Sequence, residues 1–458
     1  MRRPRFVGFL VVIALLTAVS LRAQVEKNPG ASLAFTFTKV DLELLRQTDA
    51  LDKYIEERGW IYQDPAMDAY LEKLGTSLVP PQTLENVKWH FRVVRDLQAN
   101  AFALPNGSVY VNSGLLARLE NEAQLAGVLG HEITHVVNRH SYLLNRSTRK
   151  KAVAVDLMVG GARTLDYFGV SSLVVDAVTS ALPTIIVSTI YGYSRELERE
   201  SDTQAVRTLQ ARGYDLGEFA RGMGLLRNGP EVELSDEAVF WSSHPKLDNR
   251  VRFITEQANS VQPRGNQLIV NQTAYGDAVS NVLRHNAELA IRLGCSRTAV
   301  ATAQRLIAKD PTGAGNYVLL GDALRSLGAR TPRPDPAEET SKGKNATRVR
   351  LQHMTPAEYD EALMADKHGP EHWQQNAAGA EAAFRKALEI SPQNPGARRG
   401  LGFLYERMNR REEAAAEFQR YLDLAPDAKD VRQVKMHLDA VKQSAPVNTS
   451  KSDSSHVQ

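Results

Sequence analysis

Two histidines four residues apart, with a glutamate directly after the first, occupy the stretch Gly130-His131-Glu132-Ile133-Thr134-His135. On a helix, residues i and i+4 share a face, so both imidazoles can reach one ion. Zinc held in this way acidifies a water molecule and polarises a carbonyl. Glu132, the next residue round the helix, can take that water's proton without itself being a ligand. The chain has eleven histidines, and a chance match to this pattern is rare. The preceding run Ala123-Gln-Leu-Ala-Gly-Val-Leu-Gly130 predicts that the helix lies inside a core, where charged residues need a reason.

A catalytic zinc needs a third protein ligand and one open position. A third histidine on the metzincin pattern would require Gly at position 138 and His at 141; the chain has Asn138 and Ser141. On that template His140 is not a ligand, and a helix-end role is expected of it. The alternative is a glutamate from a second helix. The stretch Tyr193-Ser-Arg-Glu196-Leu-Glu198-Arg-Glu200-Ser-Asp202 offers three. Glu198 and Asp202 are i and i+4, so one can bind metal while the other accepts a hydrogen bond from the outward nitrogen of an imidazole. By spacing, Glu196 and Glu200 are nearly as good, and a solvated charged helix is the plain alternative.

These side chains need elements to hold them. Residues 38–77 carry apolar residues at three- and four-residue spacing and read as helix. Residues 88–112 change to strand-like runs, with the Asn106-Gly107 pair predicting a tight hairpin. Helix is expected again over Gly114–Asn138, which places the histidine pair in its second half. The apolar stretch 152–194 is interrupted by Asp156, Arg163, Asp166, Asp176 and Pro183. Each charge at the centre of a membrane would cost about 2.5–3.5 kcal/mol, so buried helices, or an apolar wall and lid beside a cleft, are expected there.

From about residue 280 the chain repeats. Phe384 and Phe418, Leu388 and Leu422, and Pro392 and Pro426 are each 34 residues apart, the period of the tetratricopeptide repeat. Leu401-Gly402-x-x-Tyr405, Ala414-x-x-x-Phe418 and Pro426 match its pattern, with Arg398 in the tryptophan position. An earlier copy opens at Tyr317-x-x-Leu320-Gly321-x-x-Leu324, but its second half is displaced to Ala380-x-x-x-Phe384 and Pro392. That predicts one repeat split by an insertion near 329–379, opening with a Pro-rich charged loop. A weaker copy ends at Asp310-Pro311. The polar tail 444–458 is expected to be disordered.

At 458 residues, 43% hydrophobic and 24% charged, the chain has the make-up of a globular protein with two domains or more. Residues 1–23 stand apart: a basic start, an apolar run Phe6–Val19 and a cleavage site after Ala23 read as a secretory signal rather than a membrane span. They carry four arginines and no acid, so the net charge of +3 becomes about −1 without them. That balance argues against nucleic acid as a partner. The single cysteine, Cys295, leaves no internal disulfide. A Gram-negative periplasm is the expected compartment, with no stable transmembrane span after signal cleavage.

Four motifs occur in order: Asn100–Leu116 (NAFALPNGSVYVNSGLL), Gly130–Ser141 (GHEITHVVNRHS), Tyr193–Asp202 (YSRELERESD) and Ser242–Arg250 (SSHPKLDNR). Together they resemble gluzincin zinc metalloproteases of the HtpX and CAAX-prenyl-protease type over roughly residues 40–260. With the repeats over 280–430, the likeness is greatest to the periplasmic β-barrel assembly-enhancing proteases. The resemblance implies His131, His135 and Glu198 as ligands of one zinc ion per chain, Glu132 as general base, and Asp202 and Arg250 as supports behind the ligands. The usual E-x-x-A-D appears here with Ser201 in place of alanine. It also implies that His244 sits by the zinc, as an oxyanion donor or a reversible fourth ligand; read alone, His-Pro is a turn signal. Residues Asn100, Ala101, Phe102 and Ala103 become a candidate edge strand for an extended substrate.

The expected fold is mainly α with a small β-sheet: an HExxH zincin-type protease domain over 24–265, then an α-helical tetratricopeptide-repeat array over 280–430. The expected function is that of a secreted zinc-dependent endopeptidase acting on cell-envelope proteins, in quality control or assembly of outer-membrane proteins. Its repeats would recruit protein substrates or envelope partners. The competing expectation is a chaperone or assembly scaffold with a mostly latent protease domain.

Overall fold

The computed structural model describes residues 36–81, 86–149, 193–227, 247–260, 268–327 and 373–443. The signal 1–23, the apolar stretch 152–194 except its last two residues, His244, the insertion 329–379 up to residue 372, and the tail 444–458 lie outside the described residues.

The first helix, α1 (Lys39–Glu57), buries Leu44, Leu51 and Ile55 along one stripe. The next, α2 (Pro65–Leu78), starts where Asp64 accepts hydrogen bonds from the amides of Ala66 and Met67 and Pro65 enters the first turn. Three strands follow, β1 (His90–Val94), β2 (Ala101–Ala103) and β3 (Ser108–Asn112), in the order β1-β3-β2. The expected hairpin joins β2 and β3 antiparallel, whereas β1 runs parallel to β3. Its turn depends on Gly107, with φ of 102°, where a Cβ would stand 2.7 Å from the Lys88 carbonyl oxygen. Asp52 of α1 ties the hairpin down, accepting from Asn106 Nδ2 at 2.7 Å, Ser108 Oγ at 2.6 Å and Tyr110 Oη at 2.7 Å.

The single helix expected over Gly114–Asn138 is two: α3 (Ser113–Arg118) and α4 (Glu122–Val137). The break comes at Asn121, whose side chain accepts from the Gln124 amide and restarts the helix. Every residue of α4 from Glu122 to Val136 is buried, as its apolar first half predicts. Then come α5 (His140–Arg149), α6 (Arg195–Arg212), α7 (Leu216–Arg227) and α8 (Leu247–Ser260). Helix α4 packs against α6 and α7, with Gly130 against Ala205 and Gly127 under the ring of Phe219. Small residues at both places let the neighbouring helices come close to the histidine-bearing face.

The apolar core that starts at Tyr62 does not end with α8. It continues through α9 (Gln272–Arg292), α10 (Ser296–Lys309) and α11 (Ala314–Ser326) as far as Ala323. Polar contacts fasten the same elements: Tyr275 Oη donates to the Leu116 carbonyl at 2.8 Å, Ser113 Oγ to Asn286 Oδ1 at 3.0 Å, and Arg305 to the carbonyls of Ala117 and Leu119. A second core, from Ala377 to Val441, is built by α12 (Trp373–Ile390), α13 (Pro395–Arg407), α14 (Arg411–Leu424) and α15 (Val431–Gln443). Helices α11 and α12 pack together despite the chain between them, with the Phe384 ring lying on Gly321 and Gly400. None of the described helices is long and apolar enough to cross a membrane.

Candidate metal centre

Helix α4 presents His131 and His135 on one face, with their Nε2 atoms 3.0 Å apart. From α6, Glu198 brings Oε2 to 3.5 Å from His131 Nε2 and Oε1 to 3.6 Å from His135 Nε2. All three side chains are buried, and their donor atoms lie within 4.8 Å of one another. Two neutral nitrogens and one carboxylate facing a common point form a donor set suited to zinc. Of the glutamates that spacing leaves open, Glu198 is therefore the one beside the histidines. Glu196 is exposed, and Glu200 lies by His140.

The outward imidazole nitrogens are held as well. His131 Nδ1 is 2.9 Å from Asp202 Oδ1. Arg250 of α8 reaches the same carboxylate with Nε at 2.9 Å and Nη2 at 2.7 Å, and reaches Glu198 Oε2 with Nη1 at 2.9 Å. Arg250 is itself only 6% exposed. Burial and the nearby guanidinium both oppose charge on His131, yet its hydrogen bonds to Asp202 and Glu198 prevail and raise its pKa to about 9. Burial likewise opposes charge on Asp202, but Arg250 and His131 hold it down at about 2. Metal binding must displace the His131 proton. Glu132 is 2% exposed on the same helix, and its charge acts on both Arg250 and Tyr193.

Two contacts of His135 escaped the sequence reading. The Tyr193 ring stacks on His135 with centroids 3.9 Å apart and planes 19° from parallel, and its hydroxyl is 2.7 Å from Ser141 Oγ. His140 begins α5, the helix-end position expected of it, but its Nδ1 also lies 2.9 Å from His135 Nδ1. In an unbroken helix, a residue five positions on would not face His135. Helix α4 ends at Val137, and Arg139 takes a left-handed backbone with φ of 55°, which turns His140 back. That conformation is rare for arginine, and nothing in the local sequence announces it. Asn100–Ala103 leads into and forms β2, which packs by α4 and, among the described residues, pairs on one side only.

Comparison with known proteins agrees with this architecture. Residues 65–258 match the model of peptidase family M48, and residues 373–439 match a tetratricopeptide-repeat model. The β-barrel assembly-enhancing protease of Yersinia pestis is 27% identical over 256 residues, covering 54% of this chain and 49% of that protein. The mitochondrial metalloendopeptidase OMA1 of Schizosaccharomyces pombe is 28% identical over 224 residues, covering 48% of this chain and 63% of that one. The Arabidopsis thaliana protein of the same name is 33% identical over 188 residues, covering 39% and 33%. The chain thus spans less than two thirds of the length of each of these relatives. The expected pairing of an HExxH peptidase fold with helical repeats holds.

Proposed function

We propose that this chain, which carries a peptidase family M48 domain at residues 65–258, is a zinc-dependent endopeptidase that acts on proteins of the cell envelope. One observation carries the reading: His131, His135 and Glu198 converge in a buried site with the carboxylate of Glu132 on the same helix. Zinc held by these three would supply a Lewis acid at the scissile carbonyl and acidify a water molecule. Glu132 would take the proton of the attacking water and pass it to the leaving nitrogen. Asp202 and Arg250 would keep His131 and Glu198 aimed at the ion. A substrate segment would lie extended along the unpaired side of β2, through the main chain of Asn100, Ala101, Phe102 and Ala103.

His244, outside the described residues, would restrain the resting enzyme as a reversible zinc ligand, with donation to the oxyanion as its other role. The repeats would recruit substrate or envelope partners. Support for an envelope compartment comes from the signal-like residues 1–23 and from bacterial relatives named β-barrel assembly-enhancing proteases. Other relatives are named as mitochondrial, so the envelope reading leans on the signal-like segment.

Zinc content and casein cleavage, measured on wild type and Glu132→Gln, test the reading. Wild type should hold about one zinc per chain and cleave casein. Glu132→Gln should keep the zinc and lose roughly 10²–10⁴-fold in rate. A zinc-free wild type, or a Glu132→Gln protein as fast as wild type, overturns it. A zinc-loaded wild type that leaves casein intact but suppresses aggregation of unfolded envelope proteins would favour the scaffold.

A further inference from the structure

Each imidazole of the metal site has a partner on its outward nitrogen, but the two partners differ in kind. His131 meets the Asp202 carboxylate directly, at 2.9 Å. His135 meets another histidine: His140 Nδ1, at 2.9 Å from its own Nδ1. We propose that His140 is a positioning residue, which holds His135 in the tautomer that turns a lone pair on Nε2 toward His131 and Glu198 and relays the charge of Glu200 to that ring. The proposal rests on the zinc reading of the site.

The protons leave little choice. A neutral imidazole carries one N–H. If His135 Nε2 is to face a metal, its proton sits on Nδ1, and His140 must present a lone pair on its own Nδ1. The His140 proton then lies on Nε2, an atom buried with no hydrogen-bond partner of its own. Glu200 Oε2, on a side chain 39% exposed, faces that atom at 3.6 Å, longer than a hydrogen bond but near enough for its charge to act on the buried ring. The other Glu200 oxygen accepts from Asn138 Nδ2 at 2.7 Å, which fixes the carboxylate. One assignment of protons therefore gives the His135–His140 contact a donor and an acceptor and turns the remaining His140 N–H toward the charge of Glu200. Helix α6 would supply three acids with three tasks, Glu198 to the metal, Asp202 to His131 and Glu200 to His140. His140 is not itself placed as a ligand, because its Nδ1 is taken up by His135.

The test uses the full chain and reads the relay both with and without zinc. Imidazole nitrogen NMR of the metal-free protein should show His135 with its proton on Nδ1. In His140→Ala that preference should be lost, and zinc affinity, measured by competition with a chelator, should fall about 10–100-fold. His140→Asn keeps an acceptor near the lost nitrogen and should recover both the tautomer and most of the affinity. Glu200→Gln, which keeps shape and loses charge, should fall between. Should His140→Ala fail to fold, the Asn and Gln variants still decide. An unchanged tautomer with affinity within about twofold of wild type, or an Asn variant no better than Ala, overturns the proposal and leaves His140 a packing residue. A wild type that binds no zinc would sink the metal reading instead, while the tautomer of the metal-free protein still reports on the relay.

Discussion

Arg250 grips Asp202 with two nitrogens, Nε at 2.9 Å and Nη2 at 2.7 Å, and spends its third on Glu198. One buried guanidinium thus braces both a candidate metal ligand, Glu198, and the carboxylate beside another, His131. Lysine offers a single charged point and cannot reproduce the fork. Arg250→Lys should lose about 10–100-fold in zinc affinity. Arg250→Leu leaves Asp202 and Glu198 buried without their counter-charge and should destabilise the metal-free protein by about 3–5 kcal/mol. Chelator competition and urea unfolding check the two effects. A leucine variant as stable as wild type would show that water, not Arg250, balances these acids.

The continuous core sets a second expectation. Tyr275, Val279, Val282 and Leu306 belong to the same core as Leu115 and Leu129, and Arg305 caps the carbonyls of Ala117 and Leu119. A fragment of residues 24–265 loses all of α9–α11 and exposes the underside of α3; it should be insoluble or fail to retain zinc. A fragment of residues 24–327 keeps that core and should be folded and zinc-loaded. Expression of both, with metal analysis, separates the cases. A soluble, zinc-loaded 24–265 fragment would show that α9–α11 are dispensable to the site.

The pattern His131-Glu132-x-x-His135 was legible because a helix period alone places both rings on one face. The 34-residue spacing likewise disclosed the helical pairs of the second core, where a tetratricopeptide-repeat model matches residues 373–439. The choice among Glu196, Glu198 and Glu200 was not legible from spacing, since it depends on how α6 is rotated against α4. Packing decides that, at Gly130 against Ala205. His140 and Tyr193 were missed for a related reason. Both reach His135 through the conformations of short connections, at Arg139 and ahead of α6, which a periodicity argument does not see. The extent of the first core was also hidden, because α9 and α10 carry the helical spacing of a repeat while α9 buries its apolar face against α3 and α10 packs on α9.

Acid should weaken the fold through His285. Burial, reinforced by Arg95 and Arg292, lowers its pKa from 6.5 to about 4. Between those values the unfolded chain binds a proton that the native protein does not. Stability is therefore complete above about pH 6.5 and falls as pH drops toward 4. The slope for one such proton is at most about 1.4 kcal/mol per pH unit, and the partial exposure of the ring narrows the pH window over which it applies. His285→Gln should show a shallower loss of stability between pH 7 and pH 5 than wild type. Equal slopes in urea unfolding at the two pH values would assign the acid limb to other groups.

His244 carries a prediction of sign. As a fourth ligand at rest it would exclude water and substrate, and on that proposal His244→Ala should cleave casein faster than wild type with zinc content unchanged. A fall of about 10²–10³-fold would make it an oxyanion donor instead. An unchanged rate would return the residue to the turn signalled by His244-Pro245.

Tyr193 separates packing from chemistry in the same site. Its ring covers one face of His135 at 3.9 Å, while its hydroxyl is engaged with Ser141 at 2.7 Å. Burial pushes the phenol's pKa up, so it stays protonated at any working pH. The stack limits how far His135 can rotate, which a phenylalanine would preserve and a leucine would not. Tyr193→Phe should therefore keep zinc affinity and casein cleavage within about threefold of wild type, since one neutral hydrogen bond contributes only about 0.5–1.5 kcal/mol. Tyr193→Leu should lower zinc affinity by about tenfold or more. If Tyr193→Phe instead kept its zinc but lost about 10²–10³-fold in rate, the hydroxyl would have to leave Ser141 and donate to the developing oxyanion during the reaction, and Tyr193 would join Glu132 as a residue that touches the reacting atoms.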